Sequence, residues 1–211
     1  MGSINKTLSA FDVGAFRGDK TKSLLKNGYS SVVCFEPNPV YANKLRKRFK
    51  ARVTVVEKAI GSFEGTIGFM ICTKTPAIST CNERWKTGRF KDYKWDKKIK
   101  VRQTTLDAAI KEYGRPEFIK IDVEGYEAEV IEGLSKPVKL LSFEFANEFP
   151  DMTKDCLAEL SAIGYRRFSL QVGKTPTYIL EWCSAKKIVD YLADKPPCLW
   201  GDIYARSESA N

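Results

Sequence analysis

Acidic side chains that interrupt apolar runs are the first places in this sequence where chemistry could be done. Phe118–Glu127 reads F-I-K-I-D-V-E-G-Y-E, and Leu140–Phe145 reads L-L-S-F-E-F. Alternate residues of a strand share a face, so Lys120, Asp122 and Glu124 are expected on one side, with Ile119, Ile121 and Val123 on the other. Ionisable groups in such a setting are costly unless paired or hydrogen-bonded. A buried pair between Lys120 and Glu144, holding two central strands in register, is the expected use of the lysine. Asp122 and Glu124 come at the strand's end, where a positioned carboxylate can accept a proton. The chain has no histidine, so proton transfer falls to a carboxylate, Lys, Tyr or Cys. Two carboxylates also suit Mg²⁺, but alone they do not define a site, and no metal is assigned.

A second constellation lies at Ala10–Gly18, A-F-D-V-G-A-F-R-G. Leu8–Val13 reads as a buried strand that stops at Gly14, turns to Gly18 and gives way to a helix over Asp19–Asn27. Glycine there allows positive φ and close approach of a ligand to the backbone. The helix start leaves free N–H groups that suit a phosphate or a carboxylate. A second strand, Ser31–Phe35, ends in Glu36, where nucleotide-binding folds place the acid that grips ribose hydroxyls. The second glycine of the usual G-x-G-x-x-G is absent, with Phe16 in its place. Asp12, at the end of the first strand, favours S-adenosylmethionine over a dinucleotide, because that cofactor carries an ammonium and a sulfonium and no phosphate.

The elements that position these residues alternate: helix Pro39–Phe49, opened by the Asn38 cap, then strand Val53–Ala59. An extra antiparallel strand or hairpin is expected over Gly61–Ile71, then a strand over Lys98–Thr104 and a helix over Thr105–Tyr113. After the strand Phe118–Val123 come helix Glu127–Glu132, strand Val138–Phe145 and helix Thr153–Ile163. Late strands Tyr165–Val172, Thr177–Trp182 and Gly201–Ala205 surround a helix at Ala185–Ala193. Such alternation predicts an α/β fold, a parallel sheet covered by helices, in one domain over 1–211 with its ligands at the strands' carboxyl ends. Cys72–Lys98 fits neither period and carries Trp85, Phe90, Tyr93 and Trp95. It reads as a lid or substrate-facing insertion, the alternative being an elaboration packed on the sheet.

Composition sets the outer bounds. The chain has 211 residues, 43% hydrophobic and 29% charged, enough for one full core. No apolar run approaches a membrane span, and Met1–Lys6 has no signal-peptide core, so a cytoplasmic location is expected. Six cysteines without a C-x-x-C pair read as reduced and structural, and zinc is not indicated. The net charge of +9 is partly local, with nine Lys/Arg against three acids between Asn82 and Arg102. Charge runs are usually solvated faces, but the balance leaves room for an anionic partner.

Taken together the motifs resemble the FkbM family of S-adenosylmethionine-dependent O-methyltransferases. The matching residues are D-V-G-A-x-x-G (Asp12–Gly18), F-E-P-N-P (Phe35–Pro39), Ala59-Ile60-Gly61 with Gly65, Thr105-Leu106-Asp107, and K-I-D-V-E-G-Y-E (Lys120–Glu127), over roughly residues 8–150. The family pattern has Asn where Phe16 stands here. The resemblance implies a Rossmann-like class I methyltransferase, a mostly parallel seven-stranded sheet whose reversed last strand is Gly201–Ala205. It also implies a cofactor site of Asp12, Gly14, Ala15, Phe16 and Gly18 at the methionine end, Glu36, Pro37 and Asn38 at the ribose, and Lys58 and Ala59 by the adenine. Asp122 would face the sulfonium, and Glu124 and Glu144 the acceptor, a hydroxyl of a glycan or small hydroxylated metabolite. One alternative is an RNA 2′-O-methyltransferase using Lys20 or Lys22, Asp122, Lys154 and Glu181. Another is a non-catalytic binding module on the same fold.

Overall fold

The computed structural model describes residues 8–208; the N-terminal stretch Met1–Lys6 lies outside them. The first half runs β1 (Ser9–Val13), α1 (Asp19–Lys26), β2 (Ser31–Phe35), α2 (Pro39–Phe49), β3 (Thr54–Val56), β4 (Ala59–Ile60), β5 (Gly65–Ile71), β6 (Lys97–Thr104) and α3 (Leu106–Tyr113). The second half runs β7 (Phe118–Ile121), α4 (Glu127–Glu132), β8 (Leu140–Ala146), α5 (Pro150–Ala162), β9 (Arg167–Val172), β10 (Leu180–Cys183), α6 (Ala185–Ala193) and β11 (Trp200–Arg206). Local chemistry sets several helix starts. The side chains of Asn38, Thr105 and Ser184 accept from the backbone N–H of Val40, Ala108 and Lys187 at the openings of α2, α3 and α6.

The main sheet has the order β10-β9-β11-β8-β7-β1-β2-β3. Strands β3, β2, β1, β7 and β8 run parallel, and β11 is inserted antiparallel between β8 and β9. The reversed strand therefore falls where the resemblance placed it. The sheet carries an eighth strand, because β10 adds antiparallel to the outer edge of β9. Strand order switches between β1 and β7, so the ends of these two strands face a shared crevice.

The expected strand Val53–Ala59 is two. The chain leaves the main sheet after Val56, where Glu57 turns to Arg46 of α2 at 3.0 Å, and β4 joins a second sheet of order β4-β6-β5. There β5 and β6 pair antiparallel from Gly65↔Gln103 to Ile71↔Lys97. The period-two pattern of the main sheet separates its faces. Phe11, Val13, Ile119, Ile121, Leu141 and Phe143 pack with α3–α6, while Ala10, Val32, Cys34 and Phe118 pack with Leu24, Leu45 and Phe49 of α1 and α2. Burial of these apolar side chains is the main stabilising term.

The segment between β5 and β6 is packed rather than free. It forms two short 3₁₀ turns, Pro76–Ile78 and Glu83–Thr87. Trp85 is 5% exposed, with ring centroids 5.6 Å from both Phe90 and Phe149. Arg84 pairs with Asp151 of α5, and Arg89 Nε with Glu148 at 2.9 Å. The aromatics that suggested a lid thus anchor the insertion over the ends of β7 and β8. All six cysteines are free thiols, and among the described residues no helix is long and apolar enough to cross a membrane.

Candidate functional site

The turn after β1 is built on backbone hydrogen bonds. The N–H groups of Gly14 and Ala15 both donate to the Phe35 carbonyl, at 3.0 and 3.1 Å. Gly14 has φ +83°, and a Cβ there would collide with the carbonyl oxygen of Asp122, so the end of β7 can approach only a glycine. Glu36, 5% exposed, braces the turn from β2. Its carboxylate accepts from the N–H of Phe16 at 2.7 Å and of Asn38 at 2.8 Å. Burial pushes the Glu36 carboxyl up to about 7, against the pull of those two hydrogen bonds.

These residues open onto a groove of about 560 Å³. Gly14, Phe16, Glu36, Pro37 and Asn38 form one wall, Lys58 and Ala59 a second, and Asp122 and Glu124 the far end. Phe69 of β5, Tyr126 and the insertion's Pro76, Ala77, Ser79 and Cys81 complete it. Phe16 lies in contact with the Tyr41 ring, centroids 4.3 Å apart. Three of the expected cofactor residues stand outside the lining. Asp12 is buried beneath the turn, its carboxylate accepting from Thr21 Oγ1 at 2.5 Å; burial raises it to about 6. Ala15 is core, and Gly18 caps α1 at φ +77°, against Leu45 and Phe49.

Lys120 corrects the sequence expectation. Its ammonium lies 2.5 Å from Asp202 of β11 and 3.6 Å from Asp122, and its direct partner is not Glu144. The registers explain this. Lys120 stands opposite Ser142 on β8, and Glu144, one step further along that face, stands opposite Asp202. The lysine's side chain reaches across β8 to the β11 carboxylate. Burial would lower the Lys120 ammonium, but the carboxylates of Asp122, Asp202 and Glu144 outweigh it and hold it above its usual range.

Asp122, Glu124 and Glu144 converge, each offering a carboxylate oxygen within 4.8 Å of the others. Glu124 reaches this cluster in an unusual way, since β7 ends at Ile121 and Glu124 adopts φ +57°. Sequence reading did not assign this role to the residues that hold it there. Thr80 Oγ1 donates to the Glu124 carbonyl at 2.7 Å and accepts from Asn82 N–H at 2.9 Å. Asn82 Nδ2 donates to the Gly125 carbonyl, and Trp85 covers the bare face of Gly125. From the other side Glu127 accepts from the N–H of Val123 and Gly125, at 2.9 and 3.3 Å. Asn82, just ahead of a 3₁₀ turn, was the one available signal. Burial, and then repulsion from Glu144 on Glu124 and from Asp122 on Glu144, pushes both carboxyls well above the ordinary range. A carboxylate so raised, when ionised, is a stronger base than an exposed one.

Beyond Glu124 lies a second cleft of about 620 Å³, bounded by Trp85, Arg89, Phe90, Glu144, Phe145 and Trp200. Of the residues considered for an RNA site, Lys154 lines a separate cleft between α5 and α6, and Glu181 is exposed on edge strand β10. Neither lines the groove.

An open, mostly parallel sheet with a reversed strand, β11, inserted beside β8, and a crevice at its switch point between a glycine turn and an acidic strand end, defines a class I methyltransferase fold. A model of the methyltransferase FkbM domain matches residues 12–167, and the chain belongs to that family, whose cofactor is S-adenosylmethionine. A search of curated proteins found no match. Among solved structures, the chain is similar to a precorrin-6y C5,15-methyltransferase from Geobacter metallireducens, at 12% identity, 96% coverage of this chain and 80% of that one, with a TM-score of 0.51. A putative tRNA (m1A22) methyltransferase from Streptococcus pneumoniae matches at 12% identity, 99% and 68% coverage and TM-score 0.48. An O-methyltransferase from Thermotoga maritima matches at 10% identity, 97% and 61% coverage and TM-score 0.47. The groove fits the cofactor on its own terms: a wall with no Cβ at Gly14, a buried carboxylate at Glu36, apolar sides and an acidic end for a cation.

Proposed function

We propose that this methyltransferase is an O-methyltransferase acting on a hydroxyl of a glycan or small hydroxylated metabolite. The observation that carries the reading is that Glu124 lines both the groove and the second cleft, so one carboxylate borders a cofactor site and an acceptor site together. In this reading Glu36, with Pro37 and Asn38, holds the ribose, while Lys58 and Ala59 border the adenine. Gly14 and Phe16 border the methionine end, and Asp12 supports the turn from below. S-adenosylmethionine, when bound, supplies an electrophilic methyl group on a sulfonium centre.

The chain's own residues then do three things. Asp122 faces the sulfonium end and favours its charge. This aids binding, but stabilising a ground-state cation does not by itself lower the barrier. The packed insertion excludes water and fixes the acceptor in line, and orientation of this kind reaches effective molarities of ~10⁵ M or more. The Glu124–Glu144 pair accepts the hydroxyl proton, a contribution of ~10²–10⁴-fold. The open groove speaks against a non-catalytic module, in which native side chains would fill it.

The test is product analysis by mass spectrometry after incubation with methyl-labelled cofactor and pools of glycans, small hydroxylated metabolites and RNA. Label on an oxygen of a glycan or small metabolite supports the proposal. Label only on RNA, or only on nitrogen or carbon, refutes it.

A further inference from the structure

We infer that Asp202, on the reversed strand β11, is a positioning residue for cofactor binding. It acts through Lys120, holding that ammonium where it steadies the Asp122 carboxylate yet leaves its charge free for the cofactor's cationic end. The inference rests on the placing of Asp122 at that end and adds the two residues that hold it there.

The backbone of Asp122 is fixed, but its side chain has a single holder. The Asp122 N–H donates to the Val13 carbonyl at 3.0 Å, and its own carbonyl oxygen lies where a Cβ on Gly14 would be. The residue borders the groove. Among the described residues, the only side chain paired with its carboxylate is Lys120, at 3.6 Å. The lysine is buried and cannot follow the carboxylate into solvent. Its three ammonium protons meet three acceptors: Asp202 Oδ1 at 2.5 Å, the Ile121 carbonyl at 3.2 Å and Asp122 Oδ2 at 3.6 Å. The ammonium is thereby anchored between the end of β7 and β11.

The unequal distances carry the argument. Asp202 is within hydrogen-bond reach of the ammonium, and Asp122 is beyond it. Attraction falls with separation, so Asp202 is the main counter-charge of Lys120, and Asp122 is steadied without being neutralised. No other group replaces either partner. Asp12 stands opposite Lys120 in the β1–β7 register, but its carboxylate accepts from Thr21. Glu144 faces the lysine without an ion pair among the described residues. Lys20 of α1 is the other cation near these carboxylates; its ammonium lies over the Phe118 ring, 5.9 Å from the centroid. With the charge of Asp202 removed, the Lys120 ammonium closes on Asp122 and draws its carboxylate back from the groove. A cation entering the groove then meets a matched pair in place of a free carboxylate.

The experiment is a calorimetric double-mutant cycle on the full chain: wild type, Asp202→Asn, Asp122→Asn and the double variant, with Asp202→Ser as a second removal of the charge. Each is titrated with S-adenosylmethionine and with methylthioadenosine, which has the same nucleoside but neither sulfonium nor ammonium. Asp202→Asn should weaken S-adenosylmethionine by about tenfold, a moderate loss because Asp122 is 38% exposed and partly screened by solvent. Methylthioadenosine should stay within about twofold, which also reports an intact groove. In the Asp122→Asn background, Asp202→Asn should change S-adenosylmethionine affinity by less than about twofold. Equal losses for the two ligands, or the same tenfold loss with Asp122 already replaced, would overturn the inference. So would unchanged S-adenosylmethionine affinity in Asp202→Asn and Asp202→Ser when Asp122→Asn weakens it. If Asp122→Asn itself binds S-adenosylmethionine like the wild type, the placing of Asp122 fails, and this inference with it.

Discussion

Thr80→Val isolates the contact on which the geometry of Glu124 depends. Thr80 is fully buried, and valine keeps its shape, so no cavity opens. What is lost is the hydroxyl that donates to the Glu124 carbonyl at 2.7 Å and accepts from Asn82 N–H at 2.9 Å. Each backbone group left without its partner costs about 1–3 kcal/mol. Glu124 at φ +57° adds about 1–2 kcal/mol of left-handed strain that the contact was offsetting. The sum is about 3–8 kcal/mol, so the turn relaxes and Glu124 leaves the cluster. Two assays read the result. Hydrogen exchange should quicken at residues 80–85 and 123–126, and single-turnover methyl transfer should fall by about tenfold or more. Affinity for S-adenosylmethionine should change far less, because Gly14 and Glu36 are untouched. Thr80→Ser should restore both readouts. Wild-type exchange and turnover in Thr80→Val would refute the reasoning.

Three further outcomes follow from the same geometry. Glu124→Gln should lower single-turnover transfer by ~10²–10⁴-fold while leaving cofactor affinity within a few-fold; an unchanged rate would remove Glu124 as proton acceptor. Asp202→Ala leaves the buried Lys120 with the Ile121 carbonyl at 3.2 Å and the 3.6 Å contact to Asp122. Because Asp202 keeps about a quarter of its exposure, the expected loss is about 2–3 kcal/mol, below the full buried-pair figure, with an unchanged denaturant m-value. Glu36 governs a pH dependence: its carboxyl sits at about 7 in the fold, against an ordinary value of 4.5. The native state therefore holds the proton longer, and its contribution to stability is full below pH 4.5 and lost as pH rises through about 7. The thermal midpoint should fall across that window in the wild type, with Glu127 and Asp12 acting in the same direction. Glu36→Gln should show a shallower fall, and an unaltered slope would reject the assignment.

Much of the fold was legible because local signals agreed with one another. The Asn38-Pro39 opening gave α2 at its observed bounds, and the helix expected over Ala185–Ala193 is α6. The acidic clusters were legible as chemistry, and Asp122, Glu124 and Glu144 do meet. The partner of Lys120 was not, because Asp202 lies 82 residues away and reaches the lysine only through the β8–β11 register. Thr80 and Asn82 were hidden for a related reason: they lie in a segment without helical or strand period, and their work is done through single hydrogen bonds. The packing of the insertion was not legible either, since an aromatic in a basic loop looks the same in sequence whether it faces solvent or, as Trp85 does, packs against Phe149. Position along the chain placed Asp12 at the cofactor, but only the hydrogen bond to Thr21 reveals that it lies beneath the turn rather than in the groove.

Equilibrium binding of S-adenosylmethionine to the purified chain tests the central claim most directly. Saturable one-to-one binding is expected, with severe loss in Gly14→Ala, whose methyl would drive the Asp122 carbonyl away, and partial loss in Glu36→Gln. A wild-type chain that does not bind the cofactor, or a Gly14→Ala variant that binds it unchanged, would contradict a site held between the first glycine turn and the acidic end of β7.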